Sequence, residues 1–261
     1  MTHPSILPVA DGFWNIRGSF KIAGILDIGT HASLLRRRSG KFVFLDGLSL
    51  SGPVKQDLDG LTRGGEDVEA VLHVHPFHTV NVERMHAQYP HARLYGTSRH
   101  LARFPVLPWE RTRTEDPETH ALFADDLDFS VPRGVELVPA DENVHFSSVL
   151  VRHRATRTIH VDDTLTYLRM PLPLRLLGLK DRTSFHVMLA KALEKRPGAA
   201  NDFRLWAEEL ADRWGDTENL CTAHTATLTA RENTGASIKE RILLALRRVE
   251  KTLAAHEKAH G

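Results

Sequence analysis

The chain has a single cysteine, Cys221, so no disulfide can close within it and a reducing compartment is expected. It has no long apolar run of the ~18 residues that a spanning helix needs. Its greasiest segment, Met170 to Leu179, is broken by Pro171 and Pro173 and carries Arg175. Neither a membrane span nor a membrane partner is therefore expected. The opening stretch, Met1 to Trp14, lacks a basic segment followed by an apolar one, so no secretory leader is expected and the location expected is cytoplasmic. An excess of charge of one sign is also missing: 34 Lys and Arg face 33 Asp and Glu, for a net charge of +1. The one cluster of like charge, Arg36-Arg37-Arg38, reads as a solvated strand end, so no nucleic-acid partner is expected. No G-x-G-x-x-G or P-loop lysine supports nucleotide binding, and no G-x-S-x-G or Cys–His pairing supports a covalent nucleophile. No internal repeat or low-complexity tract is present.

What the chain does have is histidine, 16 residues of it. His3, His256 and His260 near the termini read as solvated, and His86, His91 and His100 as surface or packing residues. The informative cluster is the run His73-Val74-His75-Pro76-Phe77-His78, which closes the apolar segment Val68-Glu69-Ala70-Val71-Leu72. Neutral imidazole is the commonest side-chain metal ligand. On a strand, residues i and i+2 share a face, so His73 and His75 can converge, and His78 can approach after the turn. A metal site is the leading reading; a strand-end histidine pair bonded to backbone carbonyls is the alternative for His73 and His75.

Periodicity predicts strands over Phe13 to Ile22, Ala32 to Arg37, Phe42 to Leu45, Val68 to His73 and Ala92 to Tyr95, with Ser39-Gly40 as a hairpin turn. Further strands are expected over Val135 to Val138, Val144 to Arg152, Arg157 to Val161 and Leu220 to Thr222, with Ala155-Thr156 as a turn. Helices are expected over Pro53 to Leu61, Val82 to Tyr89, Ser98 to Phe104, Phe203 to Trp214 and Ser237 to Ala255. Ser237 and Glu240 match a capping box, and Ile238, Ile242, Ala245, Val249 and Leu253 form one apolar stripe. The order suggests two packed β sheets with helices outside. Ligand-type residues recur at the expected strand ends: Asp46, His145, Asp163 with Asp162 beside it, and His224.

With these residues in place the chain resembles the metallo-β-lactamase superfamily across Ser19 to Ala226. That family orders its site as an Asp after an early hairpin, a His-x-His-x-Asp-His run, a single His, a bridging Asp and a final His. The resemblance maps these onto Asp46, onto His73, His75 and His78, and onto His145, Asp163 and His224. It implies an α/β (α+β) fold, an αββα sandwich of two mixed sheets flanked by helices. It also implies a single domain over residues 1–261 with a helical C-terminal part from about 200. One metal would take His73, His75 and His145 with Asp163 as a possible fourth ligand; a second would take His78, His224 and a share of Asp163. Asp46 would orient the histidine run, and Asp162 is the alternative to Asp163. His153 and His160 read as solvent-side or packing residues, and Cys221 as a small buried hydrophobe near the site.

One position departs from the family: its Asp within the run is Phe77 here, which donates no lone pair and accepts no proton. The expectation is one or two ions, zinc with iron as the alternative, and a small-molecule substrate. A zinc there would lower its bound water's pKa towards ~7 and polarise a carbonyl or phosphoryl oxygen, with Asp163, His224 or the metal hydroxide itself as base. The expected function is hydrolysis of an ester, thioester, lactam or phosphodiester. The alternatives are a non-catalytic binding module and an iron oxidative enzyme using His73, His145 and Asp163. Oligomeric state is left open.

Overall fold

The computed structural model of the protein describes residues 5–19, 21–22, 26–27, 29–224 and 226–261. His3 and Phe20, which fall within expectations above, lie outside them. The chain divides into two compact units, Met1–Phe129 with His153–Thr156, and Ser130–Arg152 with Arg157–Gly261.

The first unit carries β1 (Ser5–Ala10), β2 (Phe13–Gly18), β3 (Lys21–Ile22), β4 (Leu26–Asp27), β5 (Thr30–Arg36), β6 (Phe42–Leu45), α1 (Gly52–Thr62), β7 (Val68–Leu72), α2 (Val82–Gln88), β8 (Arg93–Tyr95), α3 (Ser98–Arg103) and α4 (Pro117–Leu122). Its six-stranded sheet runs β1-β2-β5-β6-β7-β8. The pairings from β1 to β6 are antiparallel, and β6-β7 and β7-β8 are parallel. A parallel edge needs cover on its faces, which is why β6 and β7 read as near-continuous apolar runs. Val54 and Leu58 of α1, Met85 of α2 and Tyr89 at its end join Leu34, Phe44, Val71 and Leu94 in one core. The Ser39-Gly40 turn forms as expected: Arg37 N–H donates to the Lys41 carbonyl at 2.8 Å, and Gly40 takes φ 83°.

The chain passes into the second unit within β9 (Leu127–Ser130). There follow β10 (Leu150–His153), β11 (Thr158–Val161), β12 (Leu165–Leu168), α5 (Leu172–Leu176), β13 (Arg182–Phe185), α6 (Leu189–Ala192), α7 (Ala199–Arg213), β14 (Asn219–Thr222), β15 (Thr227–Leu228) and α8 (Ile238–His260). The sheet order is β15-β14-β11-β10-β9, with β12 and β13 as a separate antiparallel hairpin. Helix α8 starts at the expected capping box: Glu240 N–H donates to Ser237 Oγ at 3.2 Å, and Ser237 N–H donates to Glu240 Oε2 at 2.8 Å. Its stripe of Ile238, Ile242, Ala245 and Leu253 is buried with Phe203, Trp206 and Leu210 of α7.

Two expected strands fall short. Of Val135 to Val138 only Val135 makes a bridge, to Leu193. Of Val144 to Arg152 only the last residues join β10. Hydroxyls replace the ladder over that stretch: Ser148 N–H donates to Thr164 Oγ1 at 2.8 Å, Thr164 Oγ1 donates to the Phe146 carbonyl at 3.0 Å, and Ser147 Oγ donates to the Glu136 carbonyl at 2.8 Å.

Candidate functional site

In the first unit the histidine run lies just beyond the end of β7. His73 N–H still donates to the Tyr95 carbonyl at 2.9 Å, extending the parallel ladder by one residue. The chain then turns. His78 N–H donates to the His75 carbonyl at 3.0 Å, closing a four-residue turn with Pro76 at its second position, where proline's fixed φ is favourable. The turn brings the His75 and His78 rings face to face, 4.2 Å between centroids at 28°. The His73 ring packs against His100 at 5.1 Å and edge-on to Trp109 at 6.0 Å.

Asp46 anchors the turn. It takes φ 58°, a left-handed conformation that aspartate tolerates better than most residues. Its N–H donates to the Leu72 carbonyl at 2.8 Å, its Oδ1 accepts from Val74 N–H at 2.9 Å, and its Oδ2 lies 3.5 Å from His78 Nδ1. Next to it, a Cβ on Gly47 would stand 3.1 Å from His73 Cε1, so glycine leaves that imidazole its room. Phe77 points under a cation: the Arg99 guanidinium lies 4.4 Å above its ring.

Burial drives the His73 imidazole down to about 4, against which the Asp46 charge works, so at neutral pH the ring is in its uncharged, metal-binding form. Both of its nitrogens are buried and have no hydrogen-bond partner among the described residues. A buried imidazole in that state calls for an acceptor, a water or an ion. His100, which sequence reasoning set aside, is fully buried behind the run. It completes the N-cap of α3, its Nδ1 accepting from Thr97 N–H at 3.2 Å. Burial, and then the neighbouring His73, hold His100 well below the ordinary histidine range.

In the second unit, β11 and β14 pair in parallel with Val161 opposite Thr222. That register carries the residues after both strands alongside one another, and Asp163 Oδ1 lies 3.0 Å from His224 Nε2. Thr222 Oγ1 bonds the carbonyls of His224 and Ala226 at 3.0 and 2.8 Å and fixes the loop. Asp162, beside Asp163, has its Oδ2 3.8 Å from Nε2 of a fully buried His160. His145 is exposed, and its Nε2–H donates to the Glu142 carbonyl at 2.8 Å. Cys221 is buried in β14 opposite His160. His153 and His160 are both buried, so of the two roles expected they take the packing one.

His186, just past β13, was not singled out from sequence. Its pKa is lowered by burial, while Asp163 pulls it up and His224 and His145 push it down, so the four groups share one electrostatic neighbourhood. No local motif marks His186.

Solved structures share this architecture. A metallo-β-lactamase from Erythrobacter litoralis with β-mercaptoethanol in its active site matches at TM-score 0.60 and 13% identity, over 95% of this chain and 98% of that one. A metallo-β-lactamase from Pontibacter korlensis matches at 0.56 and 12%, over 94% and 99%. The metallo-β-lactamase FIM-1 from Pseudomonas aeruginosa, in a mono-zinc form, matches at 0.57 and 9%, over 95% and 96%. The chain has the metallo-β-lactamase fold. No family model and no curated protein matches the sequence. At such identities the likeness is one of fold. Within this metallo-β-lactamase fold, each unit offers imidazole and carboxylate groups, the donor types that suit zinc or ferrous iron. Neutral, buried His73 with two unsatisfied nitrogens fits a ligand role. Among the described residues, no helix is long and apolar enough to cross a membrane.

Proposed function

We propose that this protein is a metal-dependent hydrolase acting on an ester, thioester, lactam or phosphodiester. His73, His75, His78, His145, Asp163 and His224 would hold one or two ions, zinc first and iron as the alternative. The observation that carries the reading is the Asp163–His224 pair, a carboxylate and an imidazole brought to 3.0 Å by the β11–β14 register. Support comes from the other unit taken by itself, where a proline turn sets His75 ring to ring with His78.

When bound, the metal would supply Lewis-acid polarisation of the scissile carbonyl or phosphoryl group and a more acidic water. The chain's own groups do the rest. Asp46 holds the backbone of Val74 and faces His78, which fixes the turn. With Phe77 at the family's Asp position, Asp163 or His224 takes the water's proton, and the 3.0 Å contact keeps the imidazole oriented for it. A non-catalytic binding module is the second reading, favoured by Phe77 itself: its ring is built into a contact with Arg99 rather than left as a remnant.

The test is metal content by plasma mass spectrometry on untagged protein purified without chelator, followed by a panel of ester, thioester, lactam and phosphodiester substrates. About one zinc or iron per chain with turnover on the panel is the expected result. Protein that takes up neither ion on addition would overturn the reading in favour of the binding module.

A further inference from the structure

The second unit gathers five exposed leucines in one place. Between β12 and β13 the chain runs Pro171-Leu172-Pro173-Leu174-Arg175-Leu176-Leu177-Gly178-Leu179. Leu176 is 81% exposed, Leu177 76% and Leu172 67%, with Leu174 and Leu179 also open to solvent. Single exposed leucines need no explanation, but five within nine residues do.

The tip stands on a fixed base. Leu165 and Tyr167 of β12 and Phe185 of β13 are buried in the core of the unit. Asp181 ties the two sides together, accepting from Tyr167 Oη–H at 2.7 Å and from Met170 N–H at 2.9 Å. Within the tip, backbone groups are largely satisfied. Gly178 N–H donates to the Arg175 carbonyl at 3.0 Å, and Leu179 N–H donates to the Leu174 carbonyl at 3.1 Å, with Gly178 at φ 86° as the helix-ending residue. Pro171 and Pro173 bring no N–H at all. A segment so arranged loses few backbone hydrogen bonds when it leaves water.

Charge decides what it would enter. From Leu168 to Val187 the chain has four basic residues, Arg169, Arg175, Lys180 and Arg182, and one acid, Asp181; Glu232 pairs with Arg169 at 2.8 Å, which leaves a local excess of two positive charges. Asp181 is already engaged, with Arg175 3.6 Å from it as well. Arg248 of α8 adds another cation at the base, donating to the Thr183 carbonyl at 2.8 Å. A second copy docking tip to tip would set these cations against themselves. Anionic headgroups would complement them while the leucines enter the acyl boundary.

We propose that the β12–β13 tip docks this protein on an anionic lipid surface. The absence of a spanning run led to no membrane partner being expected, but lying on one leaflet needs no span. The inference stands apart from the hydrolase reading, because it uses none of the proposed ligands.

The test is co-sedimentation of the full chain with phosphatidylcholine vesicles, with and without ~30% phosphatidylserine. Binding to the anionic vesicles is expected to be about tenfold stronger or more, and to weaken in high salt. The double variant Leu176→Asp/Leu177→Asp should lose about tenfold or more in binding with an unchanged melting curve, since both side chains are already in water. Lys180→Glu/Arg182→Glu should abolish the preference for anionic vesicles. No binding by the native chain, or equal binding by the leucine variant, would overturn the proposal. A dimer in light scattering that the leucine variant dissociates would overturn it too, in favour of a second copy on the tip.

Discussion

Asp163 reaches His224 at 3.0 Å because β11 and β14 run parallel and in register, not because the two residues are near in sequence. The proposed site therefore depends on that contact. Asp163→Asn keeps the shape and removes the charge, so metal affinity in calorimetric titration should fall about a hundredfold or more while the unfolding transition stays in place. His224→Ala should do the same. Unchanged affinity in both variants would remove this pair from the site.

Asp46 does two jobs that substitution can separate. Asn at this position still accepts from Val74 N–H and tolerates the φ of 58°, but it loses the charge facing His78. Asp46→Asn should cost about 1 kcal/mol in urea unfolding of the metal-free protein. Asp46→Ala strands a buried N–H and leaves a left-handed backbone without its polar support, so about 2–4 kcal/mol should be lost. Equal losses in the two variants would show that the charge, not the backbone bond, holds the turn.

Much of this was legible in the sequence wherever a local rule governs the outcome. The apolar run of β7, the Ser39-Gly40 turn and the Ser237 capping box are all local, and each formed as expected. Asp46, Asp163 and His224 were found by their position just after strands that do form, whereas the strand expected to open at His145 begins only at Leu150. What was illegible depends on contacts between distant segments. The stretch 144–149 was expected to be strand, yet Thr164 takes hydrogen bonds that a neighbouring strand would have taken. His100 and His186 carry no motif; burial and neighbours make them matter.

Phe77 offers a direct test of how the histidine run is aligned with the family's motif. Phe77→Asp restores an oxygen donor next to His78, so the metal-to-protein ratio at saturation should rise above that of the native chain. Phe77→Leu is the control, since it removes the contact with Arg99 without adding a ligand. It should leave the metal ratio alone and cost about 1 kcal/mol or less. If Phe77→Asp binds no more metal than Phe77→Leu does, position 77 does not correspond to the family's Asp.

His153 gives the protein a predictable sensitivity to acid, away from the proposed ligands. Its ring packs on Phe13 at 5.9 Å and bonds Thr156 Oγ1 at 2.9 Å, and burial lowers its pKa from 6.5 to about 4, against the pull of Asp126. The folded state thus binds fewer protons than the unfolded chain between those two values. Its stabilising contribution is complete above pH ~6.5 and is lost as pH falls, up to about 3 kcal/mol by pH ~4, below which the loss levels off. His153→Gln removes the titrating group, so unfolding free energies measured from pH 7 to pH 4 should decline less steeply than in the native chain. Some slope should persist, because burial lowers the pKa of His73, His100 and His120 as well. Identical slopes for the variant and the native chain would mean that His153 takes up its proton equally well in the folded and unfolded protein, against the burial that defines its place.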